Sequence, residues 1–173
     1  MANYEPEYPA NIAVDAGIKN FITNFYTVSD TFGQNREWAD FYCDDATLIM
    51  EKKEAIGKDG ILSSFLLCFF LPGVVLWTKK CSLDILKVRE GMWEKVAARK
   101  HTVFKVFPAS FGNTGAHGGN EEVELMLYGS VVYKFKGEEG QEGGADWAGY
   151  AKLFKSGAGG EWKFAYYRVY IQR

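Results

Sequence analysis

The sequence predicts an α+β domain in which a few N-terminal helices pack on one face of a curved antiparallel sheet. Three observations carry that prediction. Helical periodicity is strongest at the start of the chain, four long stretches rich in β-branched and aromatic residues follow from His101 onward, and each stretch is set off from the next by a glycine-rich loop. Long strands joined in this way pair most simply in consecutive antiparallel order.

Between Asn11 and Ser29 the apolar residues Val14, Ile18, Phe21, Ile22, Phe25 and Tyr26 recur at helical spacing, which predicts an amphipathic first helix. "SDTFGQNREWADFYCDD" then reads as a short loop and a second helix around Gln34–Tyr42, with Trp38, Phe41 and Tyr42 on its apolar side. "ATLIMEK" reads as a first strand, "AIGKDGI" as a strand-to-helix junction and "REGMWEKVAARK" as a third helix. The strands are "HTVFKVFP", "EVELMLYGSVVYKFK", "ADWAGYAKLFK" and "EWKFAYYRVYIQ". Alternation in the second of these puts Val123, Leu125, Leu127, Val131, Tyr133 and Phe135 toward the helices and Tyr128 on the far side. In the last strand the same alternation sets Trp162, Phe164, Tyr166, Arg168 and Tyr170 opposite Tyr167, Val169 and Ile171. The first set is too apolar for water, so a homodimer is expected through an outer sheet face carrying Tyr128, Phe164, Tyr166 and Tyr170.

At 173 residues the chain is expected to fold as one domain, residues 1–173. A net charge of −2 and a pI near 5.8 give no basic footprint for nucleic acid or an anionic membrane. The start of the chain has no basic stretch followed by an apolar one, which points to an intracellular, cytoplasmic setting. Cys43, Cys68 and Cys81 show no Cys-x-x-Cys spacing and His101 and His117 are the only histidines, so no structural metal site is expected. There is no dinucleotide fingerprint, phosphate loop or nucleophile elbow, and no cofactor is expected.

Taken in order, "FYTVSD", "FYCDDATLIM", "AIGKDGI", "MWEKVAARKHTVFKVF", "LMLYGSVVYKF", "DWAGYAKLF" and "WKFAYYRVY" resemble the fungal branch of the SnoaL-like, NTF2-like superfamily. That resemblance implies a cone, with a curved sheet wrapping three helices around a central cavity. It implies no single reaction, because the same cone serves dehydratases, isomerases, cyclases and binding proteins. In the dehydratases of this group a His at the start of the strand after the third helix faces the cavity, and the first helix often supplies a Tyr and an Asp. Here those positions are His101, Tyr26 and Asp30.

Each has a plainer reading. His101 suits acid–base work because its pKa lies near working pH, yet a strand-start His also bonds simply to solvent or backbone. Alternation warns against the first role, since it would place Lys105 and Phe107 on the same face as His101 unless a bulge intervenes. Asp30 would orient His101 or act as a general base; alternatively it caps the next helical segment. Trp38, Tyr42, Met50, Trp93, Tyr128 and Trp147 are candidate walls for a small hydrophobic, polyketide- or terpenoid-like ligand, or ordinary core. Asp146 is a candidate second carboxylate, and His117 reads as a loop residue.

One stretch fits none of this. In "ILSSFLLCFFLPGVVLWTKKCSLDILK", residues 61–87, the unbroken apolar run covers only residues 65–77 and is split by Pro72-Gly73, against about 20 residues for a membrane helix. Similar chains pass from Gly-Lys-Asp-Gly-Ile almost directly to the third helix, so residues 63–88 read as an insert, either a translated intron or a lid. The functional expectation is a cofactor-free lyase, isomerase or cyclase of secondary metabolism, or else a non-catalytic binding or dimerisation module on the same fold.

Overall fold

The computed structural model describes residues 4–58, 84–110, 121–137, 141–157 and 159–172. Helix α1, Ala16–Ser29, starts where the Asp15 carboxylate accepts the Gly17 N–H at 2.5 Å, and it buries Ile18, Phe21, Ile22, Phe25, Tyr26 and Ser29 along one stripe. Helix α2, Asn35–Ala39, ends sooner than its sequence suggested, because Tyr42 already belongs to strand β1, Tyr42–Met50. A two-residue loop, with Glu51 at φ 54°, returns the chain as β2, Lys53–Ile56. Helix α3, Ile85–Gly91, precedes β3, Val96–Ala109; β4, Glu121–Phe135; β5, Glu142–Lys155; and β6, Trp162–Gln172.

The sheet order is β2-β1-β6-β5-β4-β3. The expected antiparallel succession holds from β3 to β6. What the sequence did not announce is that β1 lies parallel to β6, setting α1 and α2 against the concave face and bringing Trp38 and Tyr42 beside Phe164 and Tyr167. Ring contacts among Phe21, Phe25, Phe41, Tyr42 and Phe164 knit helix to sheet there.

The third helix is displaced from its expected position. Asp84 caps α3 by accepting the Lys87 N–H at 2.7 Å, the helix stops at Gly91, and "VAARK", helical by propensity, is strand. The long β4 needs a partner along its length, from Phe135 opposite Val96 to Glu124 opposite Ala109, and that pairing overrides local preference.

Two bulges correct the alternation read from sequence. In β3, Val103 pairs with Gly129 but Lys105 with Tyr128, so Phe104 is extra; His101, Val103 and Val106 therefore face inward while Lys105 and Phe107 are exposed. In β6, Phe164 pairs with Leu153 but Tyr166 with Lys152, so Ala165 is extra and Phe164 is core, not outer surface. The predicted inner set of β4 does face the helices.

Most of the atypical stretch, residues 63–83, lies outside the described residues, as do Cys68, Cys81 and His117. Its last five residues belong to the fold, where Asp84, Ile85 and Val88 are buried. The Ile85 N–H donates to the Gly57 carbonyl at 3.1 Å and the Leu86 N–H to the Lys58 carbonyl at 3.4 Å, so the chain before the stretch touches the chain after it. No helix among the described residues is long and apolar enough to cross a membrane.

Candidate functional site

A cavity of about 240 Å³ lies between α1, the β1–β2 turn and the concave face of β3–β6. It is small beside typical ligand pockets of about 300–1,000 Å³, which suits a compact molecule. One wall is polar and the other aromatic.

The polar wall is built at the C-terminal end of α1, where helix carbonyls lose their intrahelical partners. Asp30 is the C-cap residue of α1, not the N-cap of the next segment. Its Oδ1 lies 2.5 Å from His101 Nδ1, and its Oδ2 accepts both the His101 backbone N–H at 2.6 Å and the Tyr4 hydroxyl at 2.9 Å. Arg99 Nε stands 3.8 Å from Oδ1. With Nδ1 committed to Asp30, Nε2 is the ring nitrogen left to the cavity that His101 lines. Burial holds the imidazole pKa below its ordinary 6.5, outweighing the pull of Asp30 in the other direction, and the Arg99 charge adds to the lowering. The resting histidine is therefore neutral, with Nδ1–H donated to Asp30 and a lone pair on Nε2.

Two arginines that the sequence reading passed over complete this end. Arg89, fully buried, donates to the carbonyls of Ser29, Val28 and Thr31 at 2.8, 3.1 and 3.0 Å and lies over the rings of Trp38 and Trp93. Arg99 sends Nε and Nη2 to the Ser29 carbonyl and Nη1 to Met92 Sδ, and it too lies over Trp93. Reading "VAARK" as helix hid Arg99; as strand, Arg99-x-His101 is an inward pair.

The aromatic wall consists of Tyr26, Trp147, Tyr167, Phe25 and Trp38, with Met50 near the β1–β2 turn. Tyr26 stacks on Trp147 with centroids 5.3 Å apart and lies 5.3 Å from the His101 ring. The Tyr26 and Tyr167 hydroxyls are 2.8 Å apart. A pair that shares one bond keeps one O–H free for a ligand. Burial raises both phenol pKa values far above the ordinary range, so both stay protonated. Strand alternation assigns Tyr167 its face, but nothing in its sequence context marks it as a site residue. Gly149 leaves it room, since a Cβ there would sit 2.8 Å from its ring.

Of the candidate residues, His101, Asp30 and Tyr26 come together, and Trp38, Met50 and Trp147 line the cavity. Tyr42 lies behind Trp38 in the core, and Trp93 lies between the two arginines, so neither is a wall. Tyr128 projects from the convex face, 40% exposed, and Asp146 is exposed, because each falls on the outward parity of its strand. No three His, Cys, Asp or Glu side chains among the described residues form a metal-binding group.

The fold is the NTF2-like cone. No protein-family model matches the chain, and no curated protein matches its sequence. Solved structures match it in fold. Hexachlorocyclohexane dehydrochlorinase LinA-type3 from Novosphingobium barchaimii superposes with TM-score 0.63 at 13% identity, over 91% of this chain and 86% of that one. ActVI-ORFA from Streptomyces coelicolor gives 0.61 at 13%, over 91% and 96%. Nuclear transport factor 2 from Cryptosporidium parvum gives 0.56 at 12%, over 89% and 90%. None of the three is fungal, and at such identities the likeness is one of fold alone.

Proposed function

We propose that the protein is an acid–base enzyme of the lyase, isomerase or cyclase kind, acting without a cofactor on a small hydrophobic metabolite of polyketide or terpenoid type. One observation carries the reading: a neutral His101, fixed through Nδ1 by Asp30, presents Nε2 to a mainly apolar cavity. Nε2 takes a proton from a carbon beside a ligand carbonyl. The C–H electron pair then moves onto the carbonyl as an enolate, or forms a C=C bond as a neighbouring leaving group departs with its electrons. The free O–H of the Tyr26–Tyr167 pair donates to the departing or rearranging oxygen. A positioned base of this kind contributes about 10²–10⁴-fold. Two proteins of like fold, LinA-type3 and a scytalone dehydratase-like protein from Novosphingobium aromaticivorans, bear names of elimination enzymes, which agrees with this chemistry.

The test is deuterium uptake at the carbon beside the carbonyl of hydroxytetralone-type ketones in D₂O, read by mass spectrometry. The protein is expected to speed exchange and His101→Ala to lose about 10²-fold or more of that rate. No exchange across the panel, or the same rate in His101→Ala, would leave the binding-module reading.

The convex face supports a homodimer. Phe104, Phe107, Met126, Tyr128, Val132 and Tyr170 are all exposed there, and Phe107 stacks on Tyr128. Phe164 is no part of it. Sedimentation of a monomer at micromolar concentration would dismiss the dimer.

A further inference from the structure

We infer that Arg99 is a specificity-determining residue, and that the cavity selects a ligand bearing an anionic oxygen, such as a carboxylate or an enolate, which docks on this guanidinium. The inference rests on the cavity being a ligand site, as proposed above, and goes beyond it by naming the ligand's charge.

Three observations carry it. First, Arg99 is redundant as a structural cap. Arg89 already satisfies Ser29, Val28 and Thr31, and Arg99 adds two more N–H donors to a Ser29 carbonyl that has only two lone pairs and already accepts from Arg89. Second, the charges do not balance. Arg89 and Arg99 are cations held in this buried end of the cone, Asp30 is the buried carboxylate paired with Arg99, and the exposed Glu51 and Lys53 at the cavity rim carry opposite charges that cancel in the sum. A helix C-terminus supplies only about half a negative charge, so the wall stays positive. Third, Arg99 lines the cavity while Arg89 does not, and its Nη1 spends a donor on the sulfur of Met92, also a wall residue and a poor acceptor. A ligand oxygen would be a far better partner, and a guanidinium presents paired N–H groups to one. Since Arg99 and His101 both face inward two residues apart on β3, an anion on Arg99 places its neighbouring carbon on the His101 side of the cavity.

The experiment is calorimetric titration with 2-naphthoate and its neutral counterpart 2-naphthamide at pH 7.5, on the wild-type chain, Arg99→Gln, Arg99→Lys and His101→Ala. The wild type is expected to bind the carboxylate about tenfold or more tightly than the amide, as one charge-assisted hydrogen bond provides. Arg99→Gln should lose that preference while still binding the amide, and Arg99→Lys, which keeps the charge if the glutamine variant does not fold, should retain part of it. His101→Ala should keep the preference in full, so a failure of the proton-transfer reading leaves this result untouched. Equal binding of the two probes by the wild type, tighter binding of the amide, or no binding of either, would overturn the inference. So would an unchanged preference in a folded Arg99→Gln.

Discussion

The two walls of the cavity are held in place by different physics. The polar wall of Asp30, His101 and Arg99 is a set of charges and hydrogen bonds in which His101 and Arg99 both lean on Asp30 while Arg99 is also anchored on the Ser29 carbonyl, so Asp30 is the part on which the wall depends. The aromatic wall of Tyr26, Trp147 and Tyr167 is held by volume, with space left by glycines on the neighbouring strands. The polar wall therefore sets the protonation state and the aromatic wall sets the shape, and each can be perturbed separately.

The largest effect is expected from Asp30→Ala. It strips the partner from the His101 backbone N–H, His101 Nδ1 and Tyr4, and leaves the buried Arg99 side chain without its carboxylate. A loss of about 3–5 kcal/mol in chemical denaturation is expected. Retention of stability within 1 kcal/mol, roughly the worth of a neutral hydrogen bond, would show that the polar wall is not a unit. Next comes Gly149→Ala, where the added Cβ meets the Tyr167 ring at 2.8 Å and its hydroxyl oxygen at 3.1 Å. About 1–3 kcal/mol of destabilisation is expected, together with weaker 2-naphthamide binding. Binding as tight as the wild type's would mean that the aromatic wall yields freely.

Tyr167→Phe should cost about 1–3 kcal/mol by leaving the buried Tyr26 hydroxyl without its partner. Combining it with Tyr26→Phe should recover part of that loss, and a strictly additive double variant would deny the coupling. The smallest effect is that of pH. Because the folded His101 pKa lies below 6.5, the unfolded chain binds more protons between the two values. The contribution of this group is fully present above 6.5 and is lost as pH falls through the folded value. Nitrogen-15 NMR of the imidazole in His117→Gln, which leaves His101 as the sole histidine, should show titration below 6.5; titration above it would reverse the sign.

The same contrast explains what was legible in the sequence. Tyr26, Asp30 and His101 are site residues that the family resemblance implies, and the helical period that places Tyr26 on the buried stripe of α1 runs uninterrupted. Alternation failed at Phe104 and Ala165, where one extra residue reverses every face beyond it. Lys105 consequently looked buried and Phe164 looked exposed. Arg99 was hidden by a segment whose propensity is helical and whose pairing with β4 decides otherwise. Tyr4 was not legible at all: it reaches Asp30 because Glu7 bridges to the edge of β3 beside Lys105, a contact between distant parts of the chain that no local pattern encodes.

The contact of Gly57 and Lys58 with Ile85 and Leu86 makes that point of the cone a port. The chain departs and returns within hydrogen-bond reach, so these four residues themselves tie the start of α3 to the end of β2. Doubling such a connection costs only about 0.6 kcal/mol of closure entropy. A short glycine–serine bridge, or a fluorescent reporter, in place of residues 59–83 should therefore leave the aromatic wall and the His101–Asp30 bond undisturbed. The site thus offers a place to attach a probe to the protein beside its fold rather than at either end.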